Sequence, residues 1–171
     1  MGKMRTWLSA ALVAFGAFFG PIPAGAALVG AGTATIIQPV SINTNASLRF
    51  GTLIRPTVGS ATAIISNTGV LSGTAGSVAS SAHGNADFTV LGEGGQSVTI
   101  AVDPSFTMNG PSASTLVVTT TATNTGIQTL PGTIGSPSSG IDVAVGGSIT
   151  IPNTQTTGAY AGTFSVTASY N

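Results

Sequence analysis

Few residues in this chain have side chains suited to acid–base or nucleophilic chemistry. The 171 residues include one histidine, His83, and four carboxylates. His83 comes shortly after Ser80 and Ser81 and four residues before Asp87, and these are the residue types of a serine-hydrolase triad. A Gly-x-Ser-x-Gly nucleophile elbow is missing, because the nearest match at 146–150 ends in Thr. We therefore interpret His83 as a polar loop residue.

The other carboxylates are also explained without catalysis. A glycosidase needs two carboxyl groups roughly 5–10 Å apart, but Glu93 lies in a glycine-rich turn and Asp103 precedes Pro104, as turn residues do. The chain has no dense acidic loop for Ca²⁺ and no Cys for zinc or a disulfide. The sequence predicts no enzyme, no metal and no cofactor. A small hydrolase using Asp87 or Glu93 is a distant alternative.

The scarcity of charge excludes a further class of function. Charged residues make up 5% of the chain, against a usual share of about a quarter. Four Lys and Arg residues in total are too few for a nucleic-acid groove, since each phosphate contact needs a cation. We expect a structural or binding module with no nucleic-acid partner.

The first 26 residues have the order of regions found in a secretory signal peptide. Lys3 and Arg5 form a basic start, an apolar stretch follows over 7–19, and Ala24-Gly25-Ala26 supplies a small-x-small cleavage pattern. The apolar stretch has roughly 13 residues, short of the roughly 20 that span a bilayer. We predict cleavage near Ala26, export to the periplasm, cell surface or medium, and a single mature domain, 27–171, without a membrane span.

The predicted mature chain consists of strands and turns. Hydrophobic and hydroxyl residues alternate at the C-terminus, where Phe164, Val166, Ala168 and Tyr170 share one face, and again over 97–102 and 87–90. Glycine, asparagine and proline turn signals recur throughout, and 132–140 is the longest predicted loop. This spacing predicts an all-β, immunoglobulin-like antiparallel sandwich of about seven to nine strands.

One segment predicts a local hairpin. Residues 141–145 and 149–151 both alternate between apolar and polar types, and Gly146-Gly147 separates them. Because both glycines accept positive φ, the pattern predicts two strands joined by a primed two-residue turn.

The mature N-terminus has no means of protecting a sheet edge. Residues 27–37 are uncharged and extended in type, and no Lys is left after the predicted cleavage. Soluble monomers usually guard exposed strand edges with Lys, Pro or inward-pointing charges. We therefore expect the sheet edges to pair with another chain.

Several segments together resemble a bacterial exported family of unknown function. They are 36–42, 48–53, Phe88-Thr89-Val90-Leu91-Gly92, Val145-Gly146-Gly147, 158–164 and the ending 166–170. In their order and spacing they resemble the domain-of-unknown-function family 4402 over nearly all of the mature chain. That family has no assigned activity, so the resemblance implies a fold and an exported location only.

A looser resemblance is to archaic chaperone–usher pilins and the spore coat U group, whose last strand similarly follows a Gly-x-Tyr segment. It implies an incomplete immunoglobulin-like fold that an N-terminal donor strand of the next subunit completes. The partner-binding residues would then be Leu28, Ala34 and Ile36 on the donor strand and Phe164, Val166, Ala168 and Tyr170 beside the acceptor groove.

Two functions follow as expectations. The first is a non-enzymatic, pilin-like surface or filament subunit that self-associates or binds a related subunit by strand addition, with a periplasmic chaperone as a further partner. The alternative is a monomeric secreted or periplasmic binding module for glycan or surface adhesion.

Overall fold

A computed structural model of the chain describes residues 30–171. They divide between two units, Met1–Ala34 and Thr35–Asn171. Of the first unit, residues 30–34 are described; they are exposed and have no regular secondary structure. The signal-peptide prediction for 1–26 and the proposed donor residue Leu28 lie outside the described residues. Within them, no helix is long and apolar enough to cross a membrane.

The second unit is built from strands, apart from one short 3-10 turn at Pro111–Ala113. The strands are β1 (Ser41–Ala46), β2 (Leu53–Ile54), β3 (Ser60–Ile65), β4 (Leu71–Gly73), β5 (Gly76–Ser77), β6 (Ala86–Leu91), β7 (Ser97–Val102), β8 (Ser105–Asn109), β9 (Thr115–Ala122), β10 (Gly126–Thr129), β11 (Ile141–Pro152) and β12 (Val166–Tyr170). The prediction of an all-β fold is confirmed, with twelve strands among the described residues rather than seven to nine.

The largest sheet is organised around the twelve-residue strand β11. One side of β11 pairs first with β6 and then with β3, and its other side pairs with β9. Strand β1 extends the sheet beyond β6, β4 extends it beyond β3, and β8 extends it beyond β9. All of these pairings are antiparallel.

The hairpin predicted at Gly146-Gly147 is wrong, because β11 runs straight through both glycines. Gly146 lies where the neighbouring strand changes from β6 to β3, and its N–H donates to Asn67 Oδ1 at 3.1 Å. A Cβ there would overlap the Ile65 carbonyl oxygen. The glycine is needed for close approach of two backbones rather than for a turn.

A second sheet, β10-β7-β12, packs against part of the large sheet. The core between the two sheets holds Val98 and Ile100 of β7 and Val143 and Val145 of β11, with Leu130. The alternation predicted for β7 and β12 is confirmed, and the antiparallel sheets form a sandwich. The predicted loop over 132–140 is confirmed as well, since it lies between β10 and β11.

A second apolar core lies under the other half of the large sheet. Its buried members include Phe50, Ile65, Val118, Ile149 and Ile151. The half-buried side chains that pack against it include Leu48 and Leu53 from the segment after β1 and Phe106 and Met108 from β8.

Candidate functional site

The residues considered for a serine-hydrolase triad do not form one in the described part of the chain. His83 is exposed, and its Nδ1 lies 3.3 Å from the Ser81 carbonyl oxygen within its own loop. Asp87 lies on β6, where its backbone pairs with Ala46 and Ala144. No hydrogen bond among residues 30–171 joins His83 to Asp87.

Glu93 has a structural position that the sequence did not reveal. Its residue is only 2% exposed. Oε2 accepts a hydrogen bond from the Gln38 N–H at 3.2 Å, and Oε1 accepts one from the Gly135 N–H. The carboxylate thus ties the start of the sandwich to the 132–140 loop, and the interpretation of Glu93 as a simple turn residue was incomplete.

Two other carboxylates also have local partners. Asp103 Oδ2 accepts from the Ser165 N–H at 2.8 Å at the corner between β7 and β8. Asp142 Oδ1 accepts from the Thr89 hydroxyl at 2.9 Å on the exposed face of the large sheet. Within residues 30–171, no three His, Cys, Asp or Glu side chains cluster as metal ligands.

The expected acceptor residues lie together at the C-terminus. Phe164, Val166, Ala168 and Tyr170 are all half-buried, and Phe164, Ala168 and Tyr170 pack against the core between the sheets. Phe164 precedes β12 and packs edge-on against Phe88 at 5.9 Å between ring centroids. Their side chains therefore complete this chain's own core.

Strand β12 presents a free main-chain edge. One side pairs with β7 from Val166 to Tyr170, and the other side pairs with no strand in the part of the chain that the structure describes. At the last residue of β12, the Tyr170 hydroxyl accepts from the Glu93 N–H and donates to the Gln38 carbonyl, both at 2.7 Å.

The proposed donor residues are exposed. Ala34 is exposed in the first unit, and Ile36 in the second unit is 93% exposed. Residues 35–37 belong to no strand. Among residues 30–171, Gln38 is the first that is held to the sandwich by both its N–H and its carbonyl.

A cavity of about 580 Å³ opens over the second apolar core. Its floor is formed by buried Phe50, Leu116, Ile149 and Ile151 with half-buried Met108. Several separate stretches of chain build it: residues within 48–55, Ala82, single residues of β8 and β9, two residues of β11, and the loop 155–160.

A hydrogen-bond network fixes the loop at the rim of this cavity. The Gln155 side-chain amide donates to the Thr115 carbonyl at 3.1 Å and to the Tyr160 hydroxyl at 2.6 Å. The Tyr160 hydroxyl in turn donates to the Thr156 carbonyl at 2.6 Å. Arg55 Nη1 donates to the Gln155 carbonyl at 3.1 Å, so the arginine is attached to this wall.

Both arginines of the predicted mature chain, Arg49 and Arg55, line the cavity. No Asp or Glu is among its described lining residues. Sequence reasoning missed this site because its floor comes from segments about a hundred residues apart in the chain. The one available signal was that both remaining cations fall within 48–55.

The family model for a domain of unknown function, DUF4402, matches residues 40–170. The chain belongs to this family. The DUF4402 domain therefore runs from the residue before β1 to the last residue of β12, and it includes the cavity, the free edge and the buried Glu93. The family resemblance seen in the sequence is confirmed. Neither the curated proteins nor the solved structures contain a match to this chain.

Proposed function

We propose that this protein is an exported, non-enzymatic subunit that associates with further copies by β-strand addition. The observation that carries the proposal is an exposed, unpaired apolar segment combined with a free strand edge in one chain. Ile36 is 93% exposed in a segment without a strand partner, and β12 is an edge strand. In strand addition, main-chain hydrogen bonds supply affinity and alternate side chains supply specificity.

The low charge of the domain supports this proposal. The chain after residue 26 has no lysine, and β12 itself carries no charged residue or proline. Lysine, other charged residues and proline are what usually protect an edge strand against pairing. Their absence is expected in a subunit that pairs through its edge strand.

The pilin-like details belong to the same proposal. The sandwich would be immunoglobulin-like in topology, the leader 1–26 would be cleaved, and the protein would act in the periplasm or at the cell surface. A periplasmic chaperone would occupy the β12 edge before assembly. The donor residues would be Leu28, Ala34 and Ile36.

The experiment compares association of the mature chain with that of two aspartate variants. Sedimentation velocity over a wide concentration range should show multimers for the wild type and a monomer for Ile36→Asp and for a deletion of 27–37. Val58→Asp is the matched control, because Val58 is also highly exposed, at 82%, but lies outside the segment. A wild-type monomer at every concentration, or equal association of the Ile36 and Val58 variants, would refute the proposal.

The cavity favours a second candidate, a secreted binding module that works as a monomer. Its volume of about 580 Å³ falls within the range of roughly 300–1,000 Å³ that is typical of small-molecule sites.

A further inference from the structure

We infer that the cavity over the second core binds a small amphiphilic anion, a carboxylate joined to a hydrocarbon chain. This inference concerns the site of the second candidate function and does not depend on strand addition. It rests on the floor of the cavity, on its charge, and on the rigidity of its rim.

The floor selects an apolar ligand body. Phe50, Leu116, Ile149 and Ile151 are each 8% exposed or less, and the floor side chains carry no hydrogen-bonding group. Placing a hydrocarbon body against this floor removes the body's own apolar surface from water, which is favourable in proportion to the area covered. Met108 is flexible and polarizable, so it can adapt to chains of different shape.

The charge at the rim selects a negative head group. The chain after residue 26 has a net charge of −2, yet its two cations, Arg49 and Arg55, both line this cavity. No Asp or Glu is among the described residues that line the cavity, and Glu93, Asp103 and Asp142 accept hydrogen bonds from Gln38, Ser165 and Thr89. Two positive charges beside an apolar floor are therefore left to a ligand.

Arginine suits a carboxylate in particular. A guanidinium carries five N–H donors in a planar fork that can hold both carboxylate oxygens. Arg55 uses Nη1 for the Gln155 carbonyl, which orients the group and leaves further donors free. An ammonium head would be repelled by the arginines, and a neutral alcohol head has one oxygen and no negative charge to offer to the guanidinium.

The rim is organised before any ligand arrives. Gln155, Tyr160 and the Thr115 and Thr156 carbonyls form one connected hydrogen-bond network. Ser114 Oγ adds a contact of 2.7 Å to the Tyr160 hydroxyl. A site held in its binding geometry loses less conformational entropy when it binds.

Isothermal titration calorimetry with decanoate, kept below its micelle concentration, tests the inference. Decanoate should bind. Decanol and decyltrimethylammonium, which lack the carboxylate, should bind about tenfold more weakly or worse. Acetate, which lacks the hydrocarbon chain, should give no binding heat. Equal affinity for decanoate and decanol, or no decanoate binding at all, would overturn the inference.

Variants locate the binding. Arg55→Gln and Arg49→Gln should each weaken decanoate about tenfold and leave decanol unchanged. Ala159→Trp should block the cavity, since Ala159 is an exposed lining residue, whereas Ala79→Trp is an exposed control outside it. Arginine variants that bind decanoate as the wild type does would overturn the inference, as would equal effects of the two tryptophan variants.

The outcome separates this site from the proposed association. The monomeric Ile36→Asp variant should bind decanoate as tightly as the wild type. The Arg55→Gln variant should associate as the wild type does in sedimentation. A wild-type chain that associates but binds no decanoate would refute the cavity inference and leave strand addition standing. A wild-type chain that binds decanoate but stays monomeric would refute strand addition alone.

Discussion

The hydroxyl of Tyr170 donates a hydrogen bond of 2.7 Å to the main-chain carbonyl of Gln38. The penultimate residue of the chain thereby fixes the point at which the N-terminal segment meets the sandwich. The same hydroxyl accepts from the Glu93 N–H, and the Glu93 carboxylate accepts from the Gln38 N–H. Three distant parts of the sequence therefore meet in one hydrogen-bonded clasp, Gln38–Glu93–Tyr170.

Removing the Tyr170 hydroxyl should destabilise the fold. Tyr170→Phe keeps the ring but loses two hydrogen bonds and leaves the Glu93 N–H without its acceptor, which should lower the free energy of unfolding by about 2 kcal/mol. Urea denaturation followed by circular dichroism measures this. Ser169→Ala, at the neighbouring exposed residue, is the control and should change little. A Phe variant as stable as the wild type would mean that the clasp contributes nothing.

The Glu93 carboxylate should be irreplaceable even by its amide. Glu93→Gln turns one accepting oxygen into an NH₂ group that faces an N–H donor in a buried site, so we expect a loss of about 2–3 kcal/mol. The matched control is Asp142→Asn, because Asp142 is exposed and an asparagine oxygen can still accept from Thr89. Equal unfolding midpoints for the two variants would contradict this role of Glu93.

The close approach at Gly146 should exclude any side chain. Gly146→Ala would press a methyl group against the Ile65 carbonyl, and overpacking of this kind costs roughly 1–3 kcal/mol. Gly84→Ala is the control, since a Cβ there meets nothing within 4 Å. Thermal unfolding of the two variants should show a marked loss of stability for Gly146→Ala alone, and an alanine tolerated at 146 as well as at 84 would contradict the close backbone contact.

The confirmed prediction of β12 and the wrong prediction of a hairpin at Gly146-Gly147 show what local sequence patterns can reveal. Strand β12 was predictable because alternation of period two is a local signal, and its alternate residues Ala168 and Tyr170 do pack against the core. The prediction at the glycine pair was wrong because glycine is favoured both in turns that need positive φ and in strands where two backbones come close together. Only the pairing of β3, β6 and β11 decides between them.

The cavity and the burial of Glu93 could not be predicted from local sequence patterns for a similar reason. The cavity combines residues from 48–55, β8, β9, β11 and 155–160, and no periodicity links segments so distant. Glu93 sits among glycines that indicate a turn, and the turn does exist. Its burial arises from Gln38 and Gly135, which come from other parts of the chain.

Disulfide trapping between copies tests strand addition most directly, and the chain has no native cysteine to interfere. If Ile36 points into a neighbour, Thr35 points outward beside the exposed Thr167 and Ser169 of β12, because side chains alternate along a strand. Paired residues on adjacent strands lie close enough for a disulfide.

The double variants Thr35→Cys/Thr167→Cys and Thr35→Cys/Ser169→Cys cover neighbouring registers, and Thr35→Cys/Thr154→Cys is a control with an exposed threonine away from the edge. We predict a ladder of covalent multimers for at least one β12 variant on non-reducing gels, with the cross-linked peptide identified by mass spectrometry. Monomers throughout, or an equal ladder from the Thr154 control, would contradict strand addition at β12.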